Sequence, residues 1–405
     1  MELIAIRVCI RSVVEKSLPL TILRHKLFAT TPPMSIPECS LARYVVAFFP
    51  VALLPPCSTS IAQTDPSGAE LYESACAACH GSDGRGRTRS ELGFETPIPD
   101  FADCDFAARE PDSDWTAIIH DGGPVRGFHR MMPAFGEALS NAEIAATLSY
   151  VREFCRNPDW PRGELNMPRA LFTEKAYPED EAVIETTVVT EGDDSLSHNF
   201  LWEQRFGTRN QMEISIPVTR ADLGDPDGWE TGAGDLAIGV KHVLRHSGER
   251  GSILSIGGEL VLPTGDENRG FGNGTTVFES FVAFGKLLRR DSFVQVQAIA
   301  EFPSGSALED ELVLRTAFGR TFTQGGPYGR AWTPMIELLG SREMTGGADT
   351  SWDIAPQFQV TLNRRQHVMA AVGVRIPATD RSQRETMLVF YLLWDWFDGG
   401  VLEGW

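Results

Sequence analysis

Alternating apolar and polar residues dominate the second half of the chain. In one run Val294, Val296 and Ala298 alternate with Gln295 and Gln297. A period of two is typical of β-strands, because successive side chains point to opposite faces of a sheet. We count about twelve such runs, and most approach the roughly 9–11 residues with which a tilted strand crosses a bilayer. Their approximate spans are 183–190, 198–206, 211–218, 234–246, 252–263, 275–287, 292–302, 310–322, 328–340, 351–361, 367–377 and 385–396.

The connections between these runs alternate in length. Short ones include Gly207–Asn210 and Leu362–Gln366, whereas intervening ones such as Thr219–Ala233 and Thr264–Gly274 are longer. Tight periplasmic turns and larger outside loops are typical of outer-membrane barrels, and an even strand number puts both ends of the barrel in the periplasm. We therefore predict an antiparallel up-and-down β-barrel of about 12 strands over residues 183–405, inserted in outer-membrane lipid.

A soluble β-sandwich or barrel is the alternative fold for this region. Its strands would alternate in the same way, but the apolar face would point inward. In an outer-membrane barrel the charged residues on the polar faces would instead line the lumen. These residues include Glu213, Asp235, Lys241, Glu259, Glu301 and Arg315.

The pattern changes to a helical period in residues 63–157. A helix is expected from Ser67 to about Ala77, and a short one over Trp115–His120. Ser140 and Glu143 form a capping-box sequence that begins the last helix. The residues that follow on one stripe at helical spacing are Ile144, Leu148, Val151 and Cys155. These elements predict a small all-α domain before the barrel.

The segment Cys76-Ala77-Ala78-Cys79-His80 carries the most specific chemistry in the chain. Two cysteines at this spacing, followed at once by histidine, are the attachment signature of a c-type haem. Cys76 and Cys79 would form thioethers to the porphyrin, and His80 would bind the iron. A zinc ribbon would need a second ligand pair and a thioredoxin-like dithiol an α/β domain, and the sequence shows neither pattern. We predict one covalently attached haem c.

Residues 63–157 as a whole resemble class I cytochrome c. The resemblance implies a small all-α haem fold in which the first and last helices cross near the ring. It also implies a distal methionine from the loop before the last helix, where Met132 precedes a proline as in the family's Met-Pro pattern. Ligation by histidine and methionine raises the reduction potential and suits electron transfer. Met131 is the competing methionine, and His129 or His120 would imply a bis-histidine haem of lower potential.

Two further cysteines remain in this domain. Of the seven in the chain, Cys104 and Cys155 are left after the haem cysteines and three N-terminal cysteines are set aside. In an oxidising compartment an even remainder predicts a disulfide, which would tie the loop after the haem motif to the last helix. Two buried thiols are the alternative.

Residues 1–62 are predicted to be an upstream segment followed by a secretory signal peptide. The apolar run Tyr44–Leu54 precedes Ser60–Ala62, which supplies small residues at the two cleavage-defining positions. Met34 is an alternative start to Met1. Export agrees with the haem, because thioether attachment takes place in an exported, oxidising compartment.

Between the two domains, residues 158–182 combine prolines and charges without apolar periodicity. This composition predicts an extended connector that is not part of the barrel core.

Inside the barrel region, Gly234–Lys241 resembles outer-membrane barrels grouped with the putative transporters of phenol-degradation operons. That resemblance implies a closed barrel that could serve as a pore, and it carries over no catalytic residues.

Charge and motif content narrow the function classes. The formal net charge is −19, so nucleic acid is not expected as a partner, because phosphate binding needs a basic face. The β domain has no nucleophile motif or ligand cluster, so an enzyme is not expected. The first hypothesis is a monohaem electron-transfer protein that serves periplasmic redox proteins, with its haem domain anchored at the outer membrane by the barrel. The alternative is an outer-membrane pore or transporter whose periplasmic mouth the haem domain gates or serves.

Overall fold

Six short α-helices form the N-terminal part of the described chain. The computed structural model describes residues 66–93, 96–189, 194–224, 228–306, 308–324, 326–382 and 384–396, so the predicted signal peptide lies outside the described residues. The α-helices are α1 (Gly68–Ala75), α2 (Ala77–His80), α3 (Arg89–Leu92), α4 (Cys104–Ala107), α5 (Asp112–Asp121) and α6 (Asn141–Val151). Short 3-10 helices occupy Gly123–Arg126, Gly163–Leu165 and Glu267–Arg269. None of the described helices is long and apolar enough to cross a bilayer.

Helices α1 and α6 pack closely because a glycine lies at their contact. Ser67 and Ser140 begin the two helices, each in a capping box with the glutamate three residues later. A Cβ on Gly68 would lie 2.0 Å from the carbonyl oxygen of Ala146, so a larger residue would force the helices apart. Tyr72 of α1 is fully buried in an apolar cluster with residues of α6. We call residues 63–157 the helical domain.

Strands make up most of the remaining described chain. They are β1 (Glu181–Val189), β2 (Ser195–Phe206), β3 (Asn210–Asp222), β4 (Trp229–Ala233), β5 (Leu236–Ser247), β6 (Ser252–Leu262), β7 (Val277–Leu287), β8 (Ser292–Pro303), β9 (Glu311–Arg320), β10 (Phe322–Gln324), β11 (Arg330–Glu343), β12 (Ser351–Thr361), β13 (Val368–Pro377) and β14 (Met387–Asp395). The short β4 and β10 extend hairpins on β3 and β11. The other twelve form a closed antiparallel barrel, in which β9 pairs with β11 and β1 closes the ring with β14. The prediction of about twelve strands is confirmed.

The outside of the barrel is apolar, whereas the inside carries buried charged and amide side chains together with apolar ones. On β11, Ile336 and Leu338 are 49% and 46% exposed, whereas Glu337 between them is fully buried. On β8 the side chains of Gln295 and Gln297 are buried as well. A soluble barrel has the opposite arrangement, with its apolar face inward. The domain is therefore an outer-membrane barrel, and the soluble alternative is wrong.

Residues 161–180 fold into the lumen of the barrel, and we call this segment the plug. Leu165, Ala176 and Tyr177 are buried in one apolar cluster with wall residues of β5 to β9. Leu171 lies in a second cluster with residues of β1, β13 and β14. The expectation that the linker stays outside the barrel core is thus wrong. Its charges and prolines suit a polar lumen as well as they suit solvent.

The backbone of the plug is hydrogen-bonded to side chains of the barrel wall. The Glu337 carboxylate accepts from the backbone N–H groups of Phe172 at 3.1 Å and Thr173 at 2.7 Å. Gln357 of β12 accepts from the N–H of Leu171 at 3.0 Å. Buried backbone groups need such partners, because leaving a donor unpaired costs about 1–3 kcal/mol.

Two of the charged residues predicted to line the lumen bind the plug. Lys241 of β5 forms an ion pair with Glu174, and Arg315 of β9 donates to the carbonyl oxygen of Phe172 at 2.8 Å. In return Arg169 of the plug lies 2.9 Å and 3.4 Å from glutamates at the start of β1 and on β2. Buried charges are tolerated when they are paired in this way, and removing one partner is strongly destabilising.

The helical domain rests on the end of the barrel that carries the short turns. The described residues between 66 and 396 belong to one compact unit. Arg209, in the turn between β2 and β3, lies 2.8 Å from Asp159. His367, in the turn before β13, lies 2.8 Å from Asp395 at the end of β14 and 3.2 Å from Glu110 of the helical domain. The imidazole therefore bridges the two domains.

Replacing His367 should loosen this bridge in a pH-dependent way. Burial by itself would lower the pKa of His367, but the carboxylates of Asp395 and Glu110 outweigh burial and raise it well above 6.5. At about pH 6 we expect His367→Gln to destabilise the folded protein in detergent by about 3–5 kcal/mol, because two buried carboxylates lose their cation. The loss should shrink as the pH rises through the raised pKa, where the wild-type ring gives up its charge.

Urea unfolding at a series of pH values measures this effect. His242→Gln is the matched control, because His242 lies on the exposed outer side of β5. A stability loss for His367→Gln that stayed constant from about pH 6 into the alkaline range would contradict the charge-based explanation.

Candidate haem site

The haem motif lies where α1 meets α2. Cys76 ends α1 and begins α2, and its carbonyl oxygen accepts from the N–H of Cys79 at 3.1 Å and of His80 at 2.9 Å. One helical turn therefore brings both cysteines and the histidine together. Both thiols are free and half-buried.

The Cys76 thiol differs electrostatically from the reactive thiol of a redox dithiol. Burial, with a smaller contribution from Cys79, raises the pKa of Cys76 to about 11. Reactive and redox-active cysteines instead have lowered pKa values, because the thiolate is the nucleophile. This environment argues against the redox-dithiol interpretation of the motif.

The imidazole of His80 is neutral and stacked. Burial lowers its pKa to about 4, and its ring lies 4.8 Å from the ring centroid of Phe101 with an interplanar angle of 18°. Among the described residues, its buried Nδ1 has no hydrogen-bond partner. A neutral, oriented imidazole is the form of histidine that binds a metal.

A glycine-rich turn over Gly81–Gly86 is hydrogen-bonded to the end of the haem motif. The N–H of Gly86 donates to the carbonyl oxygen of His80 at 2.8 Å, and the Tyr72 hydroxyl donates to that of Gly81 at 2.7 Å. Gly81, Gly84 and Gly86 all have positive φ, between 73° and 77°, which other residues rarely adopt. The repeated glycines of the turn Gly81–Gly86 therefore have a conformational reason.

Aromatic and aliphatic side chains surround the motif. Phe101 packs on Trp115 of α5, with ring centroids 5.2 Å apart. Arg152 lies 3.9 Å above the Trp115 ring and caps this apolar region. Leu148 and Val151 of α6 belong to the same cluster. An apolar wall excludes water, and the burial it provides is one of the levers that set a haem potential.

Met132 lies in the loop between the 3-10 helix Gly123–Arg126 and α6. Its side chain is half-buried, whereas Met131 is 49% exposed. The loop is tied to α5, because the N–H of Phe135 donates to the carbonyl oxygen of Ile119 at 2.9 Å. Of the two methionines, Met132 is therefore the better placed for a buried ligand.

The two alternative histidines already have partners. Nδ1 of His129 accepts from the N–H of Met131 at 3.2 Å. Nδ1 of His120 lies 2.6 Å from a carboxylate oxygen of Asp121. These contacts involve Nδ1 alone and leave Nε2 available, so they do not decide between methionine and a second histidine as the distal ligand.

Cys104 and Cys155 form a disulfide in the structure, with their Cα atoms 5.2 Å apart. The bond joins the first residue of α4 to the segment just after α6. It closes the helical domain on the side that carries the Trp115 cluster, in which Cys155 also packs. Such cross-links stabilise mainly by restricting the unfolded chain.

The residues present fit a haem group. Two free thiols, a half-buried imidazole whose Nδ1 has no partner among the described residues, and a half-buried methionine share one helical domain. Cys76 and Cys79 would hold the porphyrin, and His80 and Met132 would bind the iron.

The comparison with protein families agrees with this chemistry. Residues 63–151 match the family model described as cytochrome c oxidase, cbb3-type, subunit III. This segment is therefore a cytochrome c domain, and the chain combines it with an outer-membrane β-barrel. A search of curated proteins gives no match.

Three solved structures illustrate what the barrel is similar to. The KdgM porin in complex with disordered oligogalacturonate is 12% identical, with a TM-score of 0.37, over 53% of this chain and 99% of the porin. An outer membrane channel from Pseudomonas putida F1 is 14% identical, with a TM-score of 0.41, over 57% and 100%. The β domain of the Bordetella autotransporter BrkA is 14% identical, with a TM-score of 0.33, over 53% and 97%. The barrel itself is assigned from its strand pairing and its apolar outer face.

Sequence reasoning missed the residues that brace the site. Phe101 and Arg152 carry no motif, and their roles depend on contacts across the domain. The one available signal was the aromatic content between the haem motif and the last helix, which is compatible with ordinary core packing.

Substituting Met132 should abolish the methionine signature of the haem. In Met132→Ala we expect the weak far-red sulfur-to-iron absorption band of the oxidised protein to disappear and the reduction potential to fall, because thioether ligation raises it. Met131→Ala is the matched control and should keep both. Survival of the band in Met132→Ala, with its loss in Met131→Ala, would reverse the assignment.

Proposed function

We propose that this protein is a c-type monohaem electron-transfer protein, with its haem domain in the periplasm and anchored by the outer-membrane barrel. The observation that carries the proposal is the half-buried imidazole of His80, whose buried Nδ1 has no hydrogen-bond partner among the described residues, beside two free cysteines in a cytochrome c domain. When bound, haem c supplies reversible one-electron oxidation and reduction.

Each residue of the site has a distinct task in this proposal. Cys76 and Cys79 would form the thioether bonds that keep the cofactor attached after export. His80 and Met132 would bind the iron, a ligand pair that favours the reduced state and suits electron transfer over substrate binding. We therefore propose a carrier of electrons and not an enzyme. Its partners would be periplasmic redox proteins that approach the exposed part of the domain.

The docking of the helical domain supports its periplasmic location. The domain contacts the short-turn end of the barrel, through Arg209 and His367 among others. In outer-membrane barrels the short turns face the periplasm. A predicted signal peptide agrees with export across the inner membrane.

The plug supports a role for the barrel as an anchor. It is hydrogen-bonded to β11 and β12 and ion-paired to β5, so wall positions around the lumen are already engaged. With residues 161–180 in the lumen, the barrel holds the domain at the membrane without depending on flow through a pore.

Haem attachment and redox cycling test the proposed function. Outer-membrane fractions from a host that matures c-type haem should contain one haem per chain by pyridine haemochrome analysis. The haem should stay with the protein on denaturing gels and should be reduced and reoxidised by a small soluble cytochrome. Cys76→Ala should lose most of the haem that survives denaturation, whereas Ala78→Ser, in the spacer of the motif, should not. Wild-type protein without bound haem, or with haem that does not cycle, would refute the proposal.

Transport is the second candidate function, and the polar contacts of the plug favour it. The apolar clusters around Leu165, Tyr177 and Leu171 oppose its release, but water and lumen ions can replace the hydrogen-bond and ion-pair partners of the segment. In this version the barrel is a pore that the plug closes, and the helical domain stands at its periplasmic mouth.

Planar-bilayer conductance separates the two functions. We expect wild-type protein to be closed and Glu337→Ala to show frequent openings, because the N–H groups of Phe172 and Thr173 lose their acceptor at about 1–3 kcal/mol each. Glu249→Ala, in an exposed short turn, is the matched control and should stay closed. A Glu337→Ala barrel that stays closed would favour the anchor over the pore.

A further inference from the structure

We call residues 127–140, which include Met132, the methionine loop. Arg126 joins the helical domain to the barrel at the start of this loop. It ends the 3-10 helix Gly123–Arg126 and is 4% exposed. Its Nε donates to the Asp114 carboxylate of α5 at 2.6 Å, and its Nη1 donates to the carbonyl oxygen of Tyr328 at 2.6 Å. Tyr328 lies in the short turn between β10 and β11. A rigid guanidinium with two acceptors on separate elements fixes those elements relative to each other.

The other end of the same short helix holds Met132. The N–H of Gly123 donates to the carbonyl oxygen of Met132 at 3.0 Å, and the N–H of Phe128 donates to that of Gly123 at 2.9 Å. A Cβ on Gly123 would lie 2.5 Å from the carbonyl oxygen of His129, so the loop backbone lies directly against this helix. A displacement of the helix therefore displaces Met132.

Two further contacts join the same loop region to the barrel rim. The guanidinium of Arg365, in the turn between β12 and β13, lies 4.6 Å from the ring centroid of Phe128. The Tyr328 ring lies 5.4 Å from the ring of His120. The methionine loop and its flanking residues thus contact both α5 and two short turns of the barrel.

We propose that Arg126 is a positioning residue, which keeps Met132 in place as the distal ligand by fixing the methionine loop to the barrel. The inference rests on the proposed function, because it requires haem in the site. Thioether sulfur is a weak axial ligand, so its hold on the iron depends on how firmly the loop presents it. Without the guanidinium, the Asp114 carboxylate and the Tyr328 carbonyl lose their shared donor, and the loop gains freedom to move.

Imidazole titration of the ferric full-length protein tests this role, because imidazole competes with Met132 for the same position on the iron. In Arg126→Ala we expect the apparent Kd for imidazole to fall roughly tenfold, the factor that corresponds to losing hydrogen bonds of a charged group. The far-red sulfur-to-iron band should fade at correspondingly lower imidazole concentrations. Arg126→Lys, which can keep one of the two contacts, should lie between Arg126→Ala and wild type.

Arg156→Ala is the matched control. The side chain of Arg156 is 75% exposed in the same domain and pairs with Glu153, so its removal should leave imidazole affinity unchanged. If wild-type protein carries no haem, the proposed function fails. If wild-type protein binds haem and shows the band, but Arg126→Ala and Arg126→Lys bind imidazole as it does, the inference alone is overturned. Should Arg126→Ala not fold, Arg126→Lys decides by the same comparison.

Discussion

Polar groups enclosed within a bilayer must find their partners inside the protein, and this constraint governs the barrel and everything attached to it. The outer face is apolar, so the polar wall residues turn inward, where Glu337 and Lys241 are almost fully buried. An enclosed carboxylate or ammonium is tolerated when an opposite charge or a row of donors meets it. The plug supplies both, through its backbone N–H groups and through Glu174. The polar lumen and the charged linker therefore stabilise each other.

The same segment determines how the cytochrome c domain is held. The chain leaves this domain near Asp159, passes through the lumen and continues directly into β1. At the far end of the plug Asp180 pairs with Arg109 of the helical domain, so both ends of the segment contact the domain boundary. Together with His367 and Arg126, these contacts make a rigid connection. Such a connection keeps the domain at a constant distance and orientation from the membrane, which a flexible tether would not.

Local patterns predicted what local physics determines. The strands were located to within a few residues because each turns an apolar face to lipid, so the alternation is nearly strict. The predicted helix start at Ser140 follows from a capping box that is read within four residues. The short β4 was missed, because Trp229–Ala233 is too brief and too rich in small residues to alternate clearly. In the candidate site, Cys76 to His80 forms a contiguous motif, and its residues do lie on one helical turn.

Long-range pairings could not be predicted in the same way. Lys175 and Glu179 look like a solvated charge run, and only the fold shows that they are buried against Glu181 and the wall. The contact between Arg126 and Tyr328 spans 202 residues, and no sequence pattern indicates it. The sequence does not show whether the partner of a charged side chain is water or a distant carboxylate. Composition alone therefore does not distinguish an exposed connector from a buried plug.

The closure of the barrel sets an order of assembly. The ring closes when β1 pairs with β14, with Glu181 opposite Asp395, so closure requires that β14 is already available. Contacts in the helical domain are far closer in sequence, and such local contacts form early. The plug comes directly before β1, so it must already lie inside the ring when β1 pairs with β14. The N-terminal domain can therefore complete its fold while the membrane-embedded ring is still open.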